Sequence, residues 1–328
     1  MEPENFQEIF TRLEKEVRKV IVGHDDVIRN ILIAFFAGGH VLLEGVPGLG
    51  KTLLVKSLSQ ALGVSFKRIQ FTPDLMPSDI VGTQVLTEND GRREFQFKKG
   101  PIFAHVVLAD EINRATPKTQ SAVLEAMEEK QVTVFGESYT LESPFIVLAT
   151  QNPIELEGTY PLPEAQLDRF FFKLLVSPPT PPELVDILKR TTGAESGQIG
   201  KVLPEPAEQL INEMKQLLRR VLIAPPIEEY IVRLIHTTHP QAQAGIISAP
   251  AVKQYLRFGS SPRGAQSVIL GAKGHALAQG RVHVSYEDVE KLVVPALRHR
   301  LILNFQAEAE GVTADQIIAE VVKQIPRN

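Results

Sequence analysis

The sequence predicts an α/β fold, in which a parallel five-stranded sheet flanked by helices is followed by a helical domain. Short apolar segments of strand length recur between residues 40 and 176, separated by loops and helix-like segments. A phosphate-binding motif lies between the first of these strands and a helix-like segment. Beyond residue 182, apolar residues recur at helical spacing. We therefore expect an α/β domain over residues 1–180 and a helical domain over residues 181–328.

The motif G-x-x-x-x-G-K-[ST] stands where a phosphate loop must stand, after a strand-like run and before a helix-like one. It is formed by Gly45, Val46, Pro47, Gly48, Leu49, Gly50, Lys51 and Thr52. We count Leu53, which continues into the helix, with them as nucleotide-binding. The glycines let successive backbone N–H groups face a polyphosphate, while Lys51 supplies mobile positive charge and Thr52 an oxygen for Mg²⁺. The strand and helix context disfavours a chance match.

The composition is that of a globular protein without cysteine chemistry. The 328 residues favour two domains, and 43% of them are hydrophobic, enough for a sizeable core. The absence of cysteine excludes disulfides and thiolate metal sites. The N-terminal residues do not show the basic segment followed by an apolar segment that is typical of a secretory signal. We expect a cytoplasmic protein without a membrane span, because the apolar run at residues 31–37 is far shorter than about 18 residues. The formal charge of −4 offers no overall attraction to nucleic acid.

The N-terminal segment predicts two helices joined by a short apolar turn. Apolar residues at helical spacing over residues 6–20 indicate an amphipathic helix, and a second helix is predicted over residues 27–36. Val22 and Gly23 lie in the turn between them. Such a turn could flank a purine ring or could simply link the two helices, and the residues leave both interpretations open.

Two hairpins are predicted between the strands. Residues 85–97 alternate on both sides of the favoured turn Asp90-Gly91, and residues 131–142 alternate in the same way. The first hairpin carries a basic concentration made of Arg92, Arg93, Lys98 and Lys99. We interpret these charges as a solvated edge that discourages aggregation, with a nucleic-acid site as the alternative.

Two adjacent carboxylates end a near-continuous apolar strand that begins at residue 105. This pattern is typical of a buried parallel strand that delivers acids to the carboxyl edge of its sheet. In a phosphate-loop enzyme, Asp110 suits the Mg²⁺ and Glu111 suits the base that polarises the attacking water. The alternative, a cap for the next helix, is discounted because that helix has its own start signal at Thr116 and Pro117.

The next apolar strand, residues 145–150, also leads to a polar side chain. Asn152 follows it, where the amide could orient the attacking water or contact the γ-phosphate. An asparagine that forms a turn before Pro153 is the alternative.

A run with four prolines at residues 177–182 predicts the domain boundary. In the helical region beyond it, Ser285 and Asp288 predict a capping box. Arg263 opens another predicted helix and would face whatever the preceding domain binds, although a first-turn arginine is usually just solvated.

Together these motifs resemble those of the MoxR family of AAA+ ATPases. The resemblance rests on the phosphate loop, on Asn152, and on the segments DEINRA at 110–115, YPLPEAQLDRF at 160–170 and SPR at 261–263. It extends over nearly the whole chain, from about residue 6 to about residue 325. It implies a sheet in the order 5-1-4-3-2 and an all-helical C-terminal lid. The two hairpins would be the helix-2 insertion and the hairpin before the sensor strand.

The resemblance also implies roles for individual residues. Asn152 corresponds to sensor 1 and Arg263 to sensor 2, and Val22-Gly23 lies by the adenine. Arg169 is the candidate arginine finger, which would act on the nucleotide of a neighbouring subunit. Arg114 competes with it, because the motif also places that residue near a subunit edge.

The residues predict a Mg²⁺-dependent NTPase, and the resemblance narrows this to ATP and to a homo-oligomeric, hexameric ring. It implies a chaperone-like protein that remodels or matures client proteins, often ones with von Willebrand factor A (VWA) domains. Alternatives are a DNA motor or loader of the helicase branch, a magnesium-chelatase-like ATPase subunit, and a nucleotide-gated scaffold. The acidic charge and the absence of tryptophan make a nucleic-acid partner unfavourable. Glu111 and Arg169 oppose a scaffold without turnover.

Overall fold

The computed structural model describes residues 1–89, 92–154, 158–193, 198–241 and 249–327. Within these residues the strands are β1 (Val41–Glu44), β2 (Phe66–Gln70), β3 (Gly82–Asn89), β4 (Arg92–Lys99), β5 (Val106–Asp110), β6 (Gln131–Val134), β7 (Glu137–Thr140), β8 (Ile146–Gln151), β9 (Phe172–Leu175), β10 (Leu256–Phe258) and β11 (Ile302–Leu303). The α-helices are α1 (Pro3–Arg18), α2 (Asp25–Ala37), α3 (Lys51–Leu62), α4 (Pro77–Val81), α5 (Pro117–Glu129), α6 (Glu164–Leu167), α7 (Pro181–Thr192), α8 (Ala207–Arg220), α9 (Pro225–Thr237), α10 (Pro250–Tyr255), α11 (Pro262–Ala278), α12 (Tyr286–Leu297), α13 (Phe305–Glu310) and α14 (Ala314–Gln324).

Five parallel strands form the central sheet, in the spatial order β2-β5-β8-β1-β9. Counted along the chain within this sheet, they are strands 2-3-4-1-5. The predicted order 5-1-4-3-2 is therefore confirmed, because it is the same order read from the other edge. β1 lies inside the sheet between β8 and β9, so the loop that follows it emerges at the carboxyl edge beside the end of β8.

The strands are apolar along their length because both faces of the sheet are covered. Leu42 packs into one apolar cluster together with Val123 and Met127 of α5. Val41 and Leu43, which point to the opposite face, pack into a second cluster with the helices α1, α2 and α3. A near-continuous run of apolar residues predicts a strand that is covered on both faces. A strand with one face in water would instead alternate apolar and polar residues.

Both predicted hairpins are present and contact each other. β3 pairs with β4 and β6 pairs with β7, each antiparallel. The predicted turn at 90–91 lies outside the described residues. In the second hairpin, Phe135 and Gly136 have φ values of 51° and 86°, the positive range that a tight hairpin turn requires. Phe97 of the first hairpin stacks on Tyr139 of the second, with ring centroids 4.1 Å apart.

The region after β9 is helical and is joined to the sheet by a shared core. α7 starts at Pro181, where the sequence predicts the second domain, but that boundary remains a prediction because one apolar cluster runs from Phe10 and Ile33 to Val268 and Ala272. The region also contains a two-stranded antiparallel sheet, β10 with β11, which the all-helical prediction does not include. None of the helices in the described parts of the chain combines the length and apolar character that a membrane crossing requires.

Candidate nucleotide-binding site

The phosphate loop links β1 to α3, as its motif predicts. Gly48 and Gly50 have φ values of 84° and 75°, and Gly50 is the N-cap of α3. Residues with a Cβ rarely adopt this left-handed conformation, so the two glycines allow the backbone to turn into the helix. The loop therefore ends at the N-terminus of a helix, where unpaired N–H groups and the helix dipole favour an anion.

Lys51 begins α3 and is held against the loop. Its ammonium group donates to the backbone carbonyls of Gly45 and, at 3.0 Å, of Val46. The residue is only 9% exposed. Burial lowers the pKa of Lys51, and the nearby carboxylates of Asp110 and Glu111 oppose that shift. The charge is thus stored beside the loop, on backbone oxygens that phosphate oxygens can replace.

Asp110 ends β5 and is buried, and three neighbours donate to its carboxylate. The Thr52 hydroxyl donates to Oδ2 over 3.3 Å, and the Thr150 hydroxyl donates to Oδ1 over 2.6 Å. Arg68 Nε also donates to Oδ2, over 2.9 Å. The structure thus brings together Thr52 and Asp110, the two predicted metal-binding residues. A hydroxyl and a carboxylate fit Mg²⁺, which prefers oxygen ligands and keeps places for phosphates and water.

Glu111 lies directly after β5 in a left-handed conformation, with φ 56° and ψ 51°. Its backbone N–H donates to Thr150 Oγ1 over 2.8 Å. Its Oε2 accepts from Gln70 Nε2 at 2.8 Å and from Arg114 Nη1 at 2.9 Å. Non-glycine residues in this conformation are uncommon and concentrate at functional sites. Arg114 therefore contacts the glutamate of its own chain, which weakens its case as a finger for a neighbouring subunit.

Sequence reasoning missed three of these partners, Arg68, Gln70 and Thr150. Gln70 and Thr150 lie at the carboxyl ends of their strands, because Gln70 pairs in register with Asp110 and Thr150 lies near the end of β8. Arg68 lies in the middle of β2, two residues before its end. The strands themselves were predictable. A signal was therefore present in the polar residues at the end of β2, which neighbours β5 in the expected order.

Asn152 follows β8 and is only 5% exposed. Its Oδ1 accepts from the backbone N–H of Ile154 over 3.1 Å, which is the turn-forming role that the sequence offers as an alternative. The same residue also lines the cavity beside the phosphate loop. The turn and the predicted sensor position are therefore compatible, because the turn fixes the amide at the edge of the sheet.

A cavity of about 420 Å³ joins these groups and lies within the size range of small-molecule sites. It is lined by Pro47, Gly48, Leu49, Gly50, Lys51, Thr52, Leu53, Arg68, Asp110, Glu111, Thr150, Gln151 and Asn152. Acids, a lysine, a helix N-terminus and hydroxyl groups therefore converge on one space. Such a set can bind a polyphosphate, hold a divalent cation and accept a proton from water.

Val22 and Gly23 lie between α1 and α2, beside the first turn of α7. Gly23 has φ 70°, and a Cβ at this position would lie 2.5 Å from Oε1 of Glu183. The positive φ favours glycine here, and any larger residue would also have to push the Glu183 carboxylate aside. Neither residue is among those that line the cavity, so their place beside the adenine remains a prediction.

The two predicted arginines lie together on another surface. Arg169 precedes β9, and Arg263 is in the first turn of α11, yet both contact Glu128 at the end of α5. Neither arginine lines the cavity at the phosphate loop. The role of Arg263 as sensor 2 therefore remains a prediction. α11 packs mainly against α12, α2 and α9, and its first turn places Arg263 beside Glu128 of α5.

Comparisons with known proteins decide the family. Residues 40–172 match the family described as ATPase family associated with various cellular activities (AAA), and residues 248–321 match an AAA lid domain. Chaperone MoxR1 of Mycobacterium tuberculosis is 41% identical over 315 residues, which cover 94% of this chain and 80% of that protein. The chain belongs to the MoxR family of AAA+ ATPases.

Other MoxR-family relatives agree over the full length of the chain. Protein MoxR of Methylorubrum extorquens is 29% identical over 337 residues, with 98% of this chain and 94% of that protein covered. A crystal structure of a Cytophaga hutchinsonii protein described as an ATPase is 39% identical, with a TM-score of 0.89 and coverage of 99% and 96%. The resemblance and fold class predicted from the sequence are confirmed, and this MoxR-family chain is an ATPase that binds nucleotide.

Proposed function

We propose that this MoxR-family ATPase hydrolyses ATP with Mg²⁺ in order to remodel or mature partner proteins. The observation that carries the chemistry is the convergence of Lys51, Thr52, Asp110 and Glu111 on one cavity at the carboxyl edge of the sheet. Positioning and charge stabilisation supply nearly all of the catalysis in phosphoryl transfer, and these groups provide both.

Each residue has a separate task in the proposed reaction. The Lys51 ammonium exchanges its carbonyl contacts for phosphate oxygens, and Thr52 with Asp110 would hold Mg²⁺, which neutralises phosphate charge when bound. Glu111 accepts the proton of the attacking water. Gln70 and Arg114 fix the direction of the Glu111 carboxylate, since both donate to the same oxygen.

The finger that completes this site comes, in our proposal, from a neighbouring subunit of a hexameric ring. Arg169 is 32% exposed at its side chain and lies away from the cavity of its own chain, which supports action on another subunit. Such an arginine is worth about 10³–10⁵ in kcat in related enzymes, so hydrolysis would depend on assembly.

The proposed client is a protein, with VWA-domain proteins as the preferred class and the cytoplasm as the compartment. The Mycobacterium tuberculosis relative is named as a chaperone. Both hairpins expose aromatic side chains that suit an apolar protein surface, Phe95 at 72% and Phe135 at 73%. The basic hairpin offers less to DNA, because Arg93 contacts Glu88 at 3.4 Å and Lys99 lies over the Phe103 ring.

Glu111→Gln tests the reaction. The amide keeps the shape of the carboxylate but cannot accept a proton, so ATP should bind with unchanged affinity while turnover falls by about 10²–10⁴-fold. Calorimetry and steady-state ATPase assays measure the two quantities. Lys51→Ala is the contrasting variant, because it should lose ATP binding itself. Normal hydrolysis by Glu111→Gln would place the base elsewhere.

The same variant tests the client, since it should retain ATP and any bound partner. Affinity capture with Glu111→Gln and ATP is expected to recover a VWA-domain protein. Recovery of DNA would instead favour the helicase-like alternative, and a co-purifying chelatase partner would favour the magnesium-chelatase-like one.

A further inference from the structure

One carboxylate joins the two arginines that lie outside the nucleotide cavity. Glu128 Oε2 lies 2.9 Å from an Nη of Arg169, and Glu128 Oε1 lies 2.5 Å from an Nη of Arg263. Each guanidinium therefore has its own oxygen. The glutamate sits at the end of α5, and the arginines come from the loop before β9 and from the start of α11. Three distant segments of the chain thus meet at one ion-pair cluster.

The segments that carry the arginines are also held together beside this cluster. Ser261 lies two positions before Arg263, and Asp168 lies directly before Arg169. The Ser261 hydroxyl donates to Asp168 Oδ1 over 2.7 Å and so joins the two segments. Arg300 is buried and donates to the same Asp168 oxygen over 2.9 Å. Arg169 itself donates through Nη1 to the Leu124 carbonyl of α5 over 3.0 Å. The backbone positions of both arginines are therefore fixed, and Glu128 fixes their side chains.

We propose that Glu128 is a positioning residue, which holds Arg169 and Arg263 as one pair of guanidinium groups directed at the nucleotide of the neighbouring subunit. This inference rests on the proposed role of Arg169 in a ring. A long arginine side chain loses conformational freedom when it binds phosphate, and a carboxylate that already orders it reduces that cost. The pair would then act as a unit on the transferred phosphate.

The contacts with Glu128 leave both arginines with N–H groups that can bind phosphate. A guanidinium carries five N–H donors, and each arginine uses one nitrogen on Glu128, so further N–H groups remain for phosphate oxygens. The side chains of Arg169, Glu128 and Arg263 are 32%, 35% and 44% exposed, so the cluster is open to a partner.

Glu128→Gln tests the proposal. The amide replaces one carboxylate oxygen with an NH₂ group, which cannot accept a hydrogen bond, so only one of the two arginines keeps its acceptor. We expect the assembled protein to lose about 10-fold or more in kcat, the effect of misplacing a catalytic group, while the KM for ATP stays the same. Glu128→Asp keeps the charge and should recover part of the rate. Glu125→Gln is the matched control. Glu125 lies one turn earlier on α5, lines a surface cavity together with Glu128 and Arg169, and has no ion-pair partner among the described residues.

The outcomes separate this inference from the function on which it rests. If Arg169→Ala is inactive and Glu128→Gln has full activity, the positioning role is wrong and the finger stands. If Arg169→Ala has full activity, the finger itself is wrong. A faster Glu128→Gln would mean that Glu128 restrains the arginines, which also overturns the proposal. Loss of ring assembly by light scattering would assign Glu128 to the interface and would overturn it as well.

Discussion

His40 shows how one buried side chain ties the phosphate-loop strand to its surroundings. It directly precedes β1, and its Nδ1 accepts from the Val147 N–H over 2.9 Å while Nε2 lies 3.1 Å from the Met127 carbonyl. These partners require a neutral ring with its proton on Nε2. Burial lowers the pKa of His40 to about 4, although the contact with the Met127 carbonyl opposes the shift.

His40 should therefore make the free energy of unfolding pH-dependent. The unfolded chain binds the proton near pH 6.5 and the folded chain only near pH 4, so stability is full above pH 6.5 and falls as the pH drops towards 4. The loss is about 3 kcal/mol by the conversion of a pKa shift into free energy. Urea unfolding at pH 7.5 and pH 5 should show a smaller difference for His40→Gln than for the native chain. His236→Gln, at an exposed position, should keep the native difference.

At the scale of an element, the start of α12 depends on one enclosed carboxylate. Asp288 is fully buried and accepts from the Ser285 backbone and hydroxyl, from Arg281 and from His275. The predicted capping box of Ser285 and Asp288 is therefore confirmed. Arg281 and His275 are two further hydrogen-bond donors to Asp288. Burial by itself would raise the pKa of Asp288, but the hydrogen bonds from His275, Arg281 and Ser285 outweigh it and hold the pKa well below its usual range.

Asp288→Asn should destabilise the protein by about 3–5 kcal/mol at neutral pH, because a fully buried site then loses the carboxylate that accepts hydrogen bonds from Ser285, Arg281 and His275. In the native chain this contribution is present above the unfolded pKa of 3.8 and is lost as the pH falls further below that value. Thermal unfolding followed by circular dichroism measures the change. Asp315→Asn removes the partly exposed partner of Arg298 and should cost less, about 1 kcal/mol. Equal losses for both variants would show that enclosure of Asp288 does not matter.

At the scale of the whole molecule, the separation of Arg169 from its own cavity predicts complementation between inactive subunits. Glu111→Gln subunits carry an intact arginine, and Arg169→Ala subunits carry an intact glutamate. A one-to-one mixture should therefore restore activity at about a quarter of the interfaces, whereas each variant alone is inactive. ATPase assays on the mixture, with co-assembly followed by light scattering, test this.

Arg114→Ala is the necessary comparison for the mixing experiment. Arg114 contacts Glu111 of its own chain, so we expect Arg114→Ala to impair the same catalytic site that Glu111→Gln impairs. A mixture of these two variants has no subunit with an intact site, and it should therefore not recover activity. Rescue of Arg114→Ala together with failure of Arg169→Ala to be rescued would reverse the assignment of the finger.

Across the molecule, the sequence determined the elements and the reacting groups. The five sheet strands, both hairpins, the phosphate loop and the pair Asp110 and Glu111 could be predicted because each depends on residues that are neighbours along the chain. Burial on both faces produces continuous apolar runs, and left-handed turns demand glycine at fixed places. The order of the strands came from the family resemblance, since periodicity alone does not select which strands pair.

Only the tertiary structure decided which charged and polar groups meet. The contacts that build the two sites join segments between 41 and 135 residues apart along the chain. They are Arg68 with Asp110, Gln70 with Glu111, and Glu128 with Arg169 and Arg263. An arginine has no partner preference along the chain, because any carboxylate offers it the same chemistry, and packing determines which one is within reach. The packing of α11 against α12, α2 and α9 determines where its first turn lies, and that turn brings Arg263 to Glu128 of α5. This placement has no local signature, because it follows from which helix faces share the core.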